Sequence, residues 1–229
     1  MFCCKSDIMA TIKILDKIDI TDDGLKMNNE QVFLHQGDMD GACGVYSLMM
    51  ALIIEGTVRF RDTYVNAQED KDQRKAKQRL FKAFTSSDLG LIRNGLYLKD
   101  QIQETLTNTY SKYVKSFYCP NDKESDVVAF IRQSIDDNHP CIVGIDFKGD
   151  SGHFMCAVGY EIGFEEETVT KIFCLDPGSN KPINSYWNAI IKIDANHKAR
   201  TYTDFYVNTE SQYNREVRLS EALRIEKKK

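Results

Sequence analysis

The spacing of apolar and polar positions divides the chain at Pro140. Before it, the patterns are mostly helical. Val45–Glu55 is an almost unbroken apolar run behind a small-residue turn, Gly41 to Gly44, and predicts a buried helix. Residues 71–84 are highly charged with Leu80, Phe81 and Phe84 gathered at one end, which predicts an exposed helix docked at that end. Residues 98–110 and 125–138 predict two more helices. In the second, Val127, Val128, Ile131 and Ile135 share a face, Ser125 stands at the N-cap and Pro140 ends the run. One earlier stretch, 11–20, alternates as a strand does. After Pro140 the period shortens. Strands are expected over 141–147, 153–163, 169–175, 190–193 and 204–207, with a hairpin turn at 165–168. The closing RIEKKK is expected to be a solvated end. Helices followed by antiparallel strands form the pattern of an α+β fold, here one domain over 1–229 with a helical lobe at about 36–139 and a sheet lobe at about 140–210.

Composition narrows the function classes. With 229 residues the chain needs neither disulfide nor metal to hold a core. Lys and Arg total 30 against 34 Asp and Glu, a net charge of −4 that argues against nucleic acid as partner. The longest apolar stretch, Val45–Ile54, is half the roughly 20 residues a spanning helix needs. No basic start followed by an apolar run marks a signal peptide, so a cytoplasmic protein, or one exported by a signal-less route, is expected. Seven cysteines, an odd number, do not make a disulfide framework and point to a reducing compartment. They are too scattered for zinc; neither metal nor cofactor is expected.

One cysteine has a distinctive setting. Residues 36–47 read QGDMDGACGVYS, which places Cys43 at the start of the apolar helix between Ala42 and Gly44. A helix N-terminus stabilises a thiolate, and small neighbours leave the sulfur open. Gln36 is near enough to supply an N–H donor that, with the backbone N–H of Cys43, would hold the oxyanion of a tetrahedral intermediate. A nucleophilic thiol needs a base, and His153 begins an apolar strand, HFMCAVGY. Asp176 ends the next strand in FCLDPGSN. If the two strands pair as a hairpin, His153 and Asp176 lie side by side.

The order Gln36, Cys43, His153, Asp176 resembles the papain-like cysteine peptidases. Among them it is most similar to the domains that process bacteriocin double-glycine leaders. The matching pieces are D-G-A-C-G behind a Gln, G-H-F with an apolar strand, and L-D-P-G, over residues 36–56 and 140–180. The resemblance implies a papain-like fold. It also implies a Cys43 nucleophile, a His153 general base and acid, an Asp176 that orients it, and a Gln36 oxyanion donor. The chain departs from the pattern in three ways. The Gln-to-Cys gap is one residue longer than the common spacing. Gly44 and Val45 stand where larger relatives often carry an aromatic. A charged segment within 57–125 has no assigned role.

Each residue also has a plainer reading. Cys141, Cys156 and Cys174 lie in apolar strands and read as core thiols, Cys3 and Cys4 sit on a loose terminus, and Cys119 is unassigned. D-P-G is a common turn that its Asp often caps. His35 reads as structural. Asp38 and Asp40 read as solvated turn residues or as selectors of a basic substrate residue. Asp146 and Asp150 are reserve candidates for the orienting acid. Trp187 either shields the His–Asp pair or fills the core. The expected function is a thiol peptidase acting on a peptide or protein substrate. The alternatives are a deamidase, a transglutaminase-like or other acyl transferase, and an inactive binding module. Only about 35 residues precede Gln36, part of them a strand, so no pro-segment is evident and control by a regulatory protein partner or by compartment is expected.

Overall fold

The structure, a computed structural model, describes residues 10–37, 41–64, 72, 74–85, 95–120, 123–149, 151–163, 168–194, 202, 204–209 and 214–229. Asp38, Asp40, Asp150, His197, Cys3 and Cys4 lie outside them, as does most of the turn expected at 165–168. The fold is α+β. Among the described residues the strands are β1 (Thr11–Ile14), β2 (Asp19–Thr21), β3 (Gly24–Met27), β4 (Glu30–Gln31), β5 (Val114–Pro120), β6 (Cys141–Phe147), β7 (Ser151–Ile162), β8 (Val169–Leu175), β9 (Ala189–Lys192), β10 (Asp204–Asn208) and β11 (Asn214–Lys227). The α-helices among them are α1 (Cys43–Ile54), α2 (Ala76–Thr85), α3 (Glu104–Tyr110) and α4 (Glu124–Asp136). A π-helical turn, Leu98–Gln103, runs directly into α3.

Eight strands make one antiparallel sheet, seven of them in the order β1-β7-β6-β11-β10-β9-β8 and the eighth, β5, paired to β11, and β8 returns to pair with β7. Six strands therefore close on themselves. The long β7 and β11 overshoot this ring, and their free lengths carry β1 and β5 respectively. β2, β3 and β4 form a separate small sheet. Closure removes edges that would otherwise invite pairing with another chain.

α1 is apolar all round, and every residue but Tyr46 is buried, as expected of a helix surrounded by protein. It packs on β6 and β7, while α4 packs across β11, β7 and β6. On α4 the buried residues Val127, Ile131 and Ile135 form the core face. The helix begins one residue before Ser125, with Lys123 in the cap position, so Ser125 is not the cap. α2 buries Leu80, Phe81 and Phe84, the three apolar residues at the end of its pattern. No helix among the described residues is long and apolar enough to cross a membrane.

Three expectations are corrected. The stretch 11–20 holds two strands in different sheets, because Leu15 and Ile18 turn inward between them. Residues 114–120, inside the helical half, form β5. The tail is no solvated end: RIEK closes the 14-residue β11, which pairs with β6, β10 and β5.

α1 is fixed at its far end by Glu55, whose side chain is 1% exposed. Its Oε1 accepts from Lys17 Nζ at 2.6 Å and lies 3.0 Å from His139 Nδ1. Its Oε2 accepts the backbone N–H of Lys227 at 2.9 Å. One carboxylate thus ties the helix to the first strands and to the end of β11. Glu55→Ala leaves a half-buried lysine and a strand N–H without their buried acceptor, and a loss on the order of 3 kcal/mol is expected. For a chain of this length that is roughly a 10 °C fall in Tm. An unchanged thermal transition would contradict this role.

Candidate active site

Cys43 is the first residue of α1. The residue before it, Ala42, has no side chain that could cap the helix, so the first-turn N–H groups are left for other acceptors. One of them, on Gly44, donates to the Cys43 sulfur, and so does the N–H of Phe154. Cys43 is 9% exposed.

His153 and Phe154 belong to β7, and the fit of Phe154 sets how closely β7 approaches α1. A Cβ on Gly44 would stand 3.3 Å from the Phe154 ring and 2.9 Å from Ile102 Cδ1. A Cβ on Gly144 of β6 would stand 2.9 Å from the same ring and 2.8 Å from Ser220 Oγ. The ring therefore lies between two positions where only glycine leaves room. Ser47 Oγ donates to the Phe154 carbonyl at 3.1 Å and locks the contact. This explains why Gly44 follows the cysteine where a larger residue might be expected.

The β7–β8 hairpin pairs Cys156 with Leu175, and its far end brings His153 to Asp176. His153 Nε2 is 2.7 Å from Asp176 Oδ1, which leaves Nδ1 for the thiol. The carboxylate is held from all sides. Oδ1 also accepts the N–H of Gly178 at 2.7 Å, an Asx turn. Oδ2 accepts Ser179 Oγ at 3.0 Å and the hydroxyl of Tyr206 on β10. Asn188 clasps the backbone of Asp176 through both its N–H and its carbonyl. Both readings of D-P-G therefore hold at once: the Asp caps its turn and meets the histidine.

Gln36 is tied to the same turn, its N–H donating to the Pro177 carbonyl at 2.9 Å. The space beside Gly178 is where the three side chains meet. A Cβ there would stand 3.3 Å from Asp176 Oδ1, 3.6 Å from His153 Cε1 and 3.9 Å from Gln36 Nε2. The Gln36 Oε1 is buried without a hydrogen-bond partner among the described residues.

The electrostatics separate Cys43 from the other buried thiols. Burial pushes Cys141 up to about 12 and pushes Cys156 and Cys174 up as well. Burial acts on Cys43 too, but the hydrogen bond and charge of His153 with the two backbone N–H groups outweigh it, and its pKa is lowered. Burial disfavours the His153 imidazolium, but Asp176 and Cys43 outweigh that and raise it to about 10. Asp176 is lowered despite burial, chiefly by His153, then by Tyr206 and Gly178. These directions favour the charged forms of Cys43, His153 and Asp176 together, and the coupled groups titrate as a unit.

The remaining candidates fall elsewhere. Asp146 pairs with Arg218 at 2.6 Å. Trp187 is half-buried and stacks on Phe173, ring centroids 4.0 Å apart. His35 is exposed rather than structural. Among the described residues no cluster of His, Cys, Asp and Glu could hold a metal ion. Tyr206, Ser179 and Asn188 were not singled out by the sequence pattern. Ser179 follows the D-P-G turn closely enough to be found by its Asx-turn context, whereas Tyr206 is 30 residues from Asp176 and only the β10 pairing brings it in.

Alkylation of Cys43 by iodoacetamide should titrate below the thiol value of about 8.5. Tyr206→Phe removes a hydrogen bond that helps hold Asp176 ionised, so the Asp176 pKa should rise. The carboxylate stays ionised over the range in which the thiol titrates, and with one donor fewer it holds the His153 imidazolium more strongly, so the alkylation profile should move to lower pH. A profile identical to wild type would contradict the part given to Tyr206.

Comparison with known proteins agrees with this geometry. No curated protein matches the chain in sequence. The model of the Peptidase_C39 like family matches residues 28–214, well over half of the chain and a span that includes Gln36, Cys43, His153 and Asp176. The chain belongs to the Peptidase_C39-like family and so to the papain-like cysteine peptidase superfamily.

Proposed function

We propose that the chain is a papain-like thiol peptidase, one catalytic unit in which Cys43 is the nucleophile, His153 the general base and acid, Asp176 the residue that orients it and Gln36 an oxyanion donor. The observation that supports this most directly is the contrast among the buried cysteines. Burial alone raises three of them, while Cys43, beside His153 and a helix N-terminus, is lowered.

The chemistry follows from the placement. The Cys43 thiolate attacks a peptide carbonyl carbon and a C–S bond forms. The oxygen gains the negative charge, which the Cys43 N–H and the Gln36 amide are placed to stabilise. The intermediate collapses, the C–N bond breaks and the leaving amine takes the proton from the His153 imidazolium. His153, now neutral, removes a proton from water, and the resulting attack on the thioester releases the acid and restores the thiol. Asp176 keeps Nε2–H fixed throughout, so Nδ1 faces the reacting atoms.

A peptide library incubated with wild type and with Cys43→Ala, read by mass spectrometry, tests the proposal. New chain termini are expected with wild type alone. Equal cleavage by both proteins would overturn it. Ammonia release without chain cleavage would move the same triad to a deamidase or transferase.

A further inference from the structure

The two faces of α2 carry opposite kinds of residue. Leu80, Phe81 and Phe84 are buried on one side. On the other, Lys75 at the N-cap is followed by Arg79 one turn on and Lys82 a turn further, and all three are exposed. From Arg74 to Thr85 the chain holds five cations and no carboxylate, although its net charge is −4. The described carboxylates that precede the helix after α1 are already engaged. Asp62 lies 2.7 Å from Lys77 and 3.4 Å from Arg59, and Asp72 lies 2.9 Å from Arg74. Asp72 acts on Lys75 only as a more distant charge. Among the described residues neither Lys75 nor Lys82 has an ion-pair partner.

This arrangement works against the helix. Like charges three and four residues apart repel one another. The positive end of the helix dipole meets Lys75 and Lys77, with no acidic residue in the first turn. A helix face that serves only to meet solvent mixes signs so that neighbours attract. A local rule broken without compensation inside the chain points to compensation from outside it. We propose that the outer face of α2 is a docking surface for an acidic segment of a protein partner, whose carboxylates pair with Lys75, Arg79 and Lys82. Two observations select a protein among anionic partners. The stripe spans about 10 Å along the helix, enough for a few carboxylates. A nucleic-acid backbone would run past it over a chain of net charge −4. The large apolar side chains of α2 are all turned inward, so none is left to enter a lipid bilayer. The surface uses neither Cys43 nor His153, and the proposal does not depend on the peptidase reading. The charged segment within 57–125, without a role in the sequence, thereby gains one.

The test compares binding of a fluorescent glutamate-rich peptide with that of its glutamine counterpart at low ionic strength. The glutamate peptide should bind about tenfold more tightly or better, and added salt should weaken it. Lys75→Glu combined with Lys82→Glu should remove the preference. Lys75→Arg combined with Lys82→Arg keeps the charges and should keep the preference. An iodoacetamide rate at Cys43 equal to wild type shows that either variant is folded. Equal binding of the two peptides, or a preference that survives the charge reversal, overturns the proposal. Single-stranded DNA and phosphatidylserine vesicles are measured alongside. If either binds more tightly than the glutamate peptide and loses that binding on charge reversal, the stripe belongs to a nucleic acid or a membrane, and the proposal is overturned as well.

Discussion

The contact between the N-terminus of α1 and the start of β7 is the constraint on which the rest of the structure depends. It is a short-range contact with little slack. Phe154 fits only because Gly44 and Gly144 present no side chain to it, and Ser47 fastens its carbonyl. Once that ring is seated, the preceding residue, His153, has to lie at the head of the helix, and the sulfur of Cys43 receives the Phe154 N–H. Glu55 holds the other end of the same helix against β11. α1 is thus a strut between two parts of one sheet, and the position of the thiol is fixed by packing rather than by the loop before it.

The electrostatics are a consequence of that packing. A charged pair in a water-poor interface has a large Coulomb attraction and a large desolvation cost, and which wins depends on how many donors and acceptors remain to each ion. The structure supplies them. The thiolate has two backbone N–H groups as well as the imidazolium, and the Asp176 carboxylate has Gly178, Ser179 and Tyr206 as well as His153. Cys156 and Cys174, more deeply buried and without such donors, are pushed the opposite way.

Much of this was legible in the sequence where one local signal decided the outcome. The apolar run of α1, the short apolar runs of β6 to β8 and the order of Gln36, Cys43, His153 and Asp176 needed no tertiary information. β11 was hidden for a physical reason. Its buried residues are Val217 and Leu219, then Ala222, Leu223 and Ile225, and the alternation changes phase at the irregularity between Leu219 and Glu221. Charges on its outer face completed the disguise. β5 was masked in another way, as an edge strand with only Val114 fully buried. Tyr206 could not be seen at all, because its role exists only once β9 and β10 bring it across the sheet to Asp176.

The central claim is that His153 and Cys43 share charge across the α1–β7 contact. Nitrogen chemical shifts of labelled His153, followed through pH in wild type and in Cys43→Ala, measure this most directly. The account predicts that His153 stays doubly protonated well above neutral pH in wild type and releases its proton at lower pH once the sulfur is gone. A His153 that is neutral at pH 7 in wild type, with the same titration in both proteins, would contradict it.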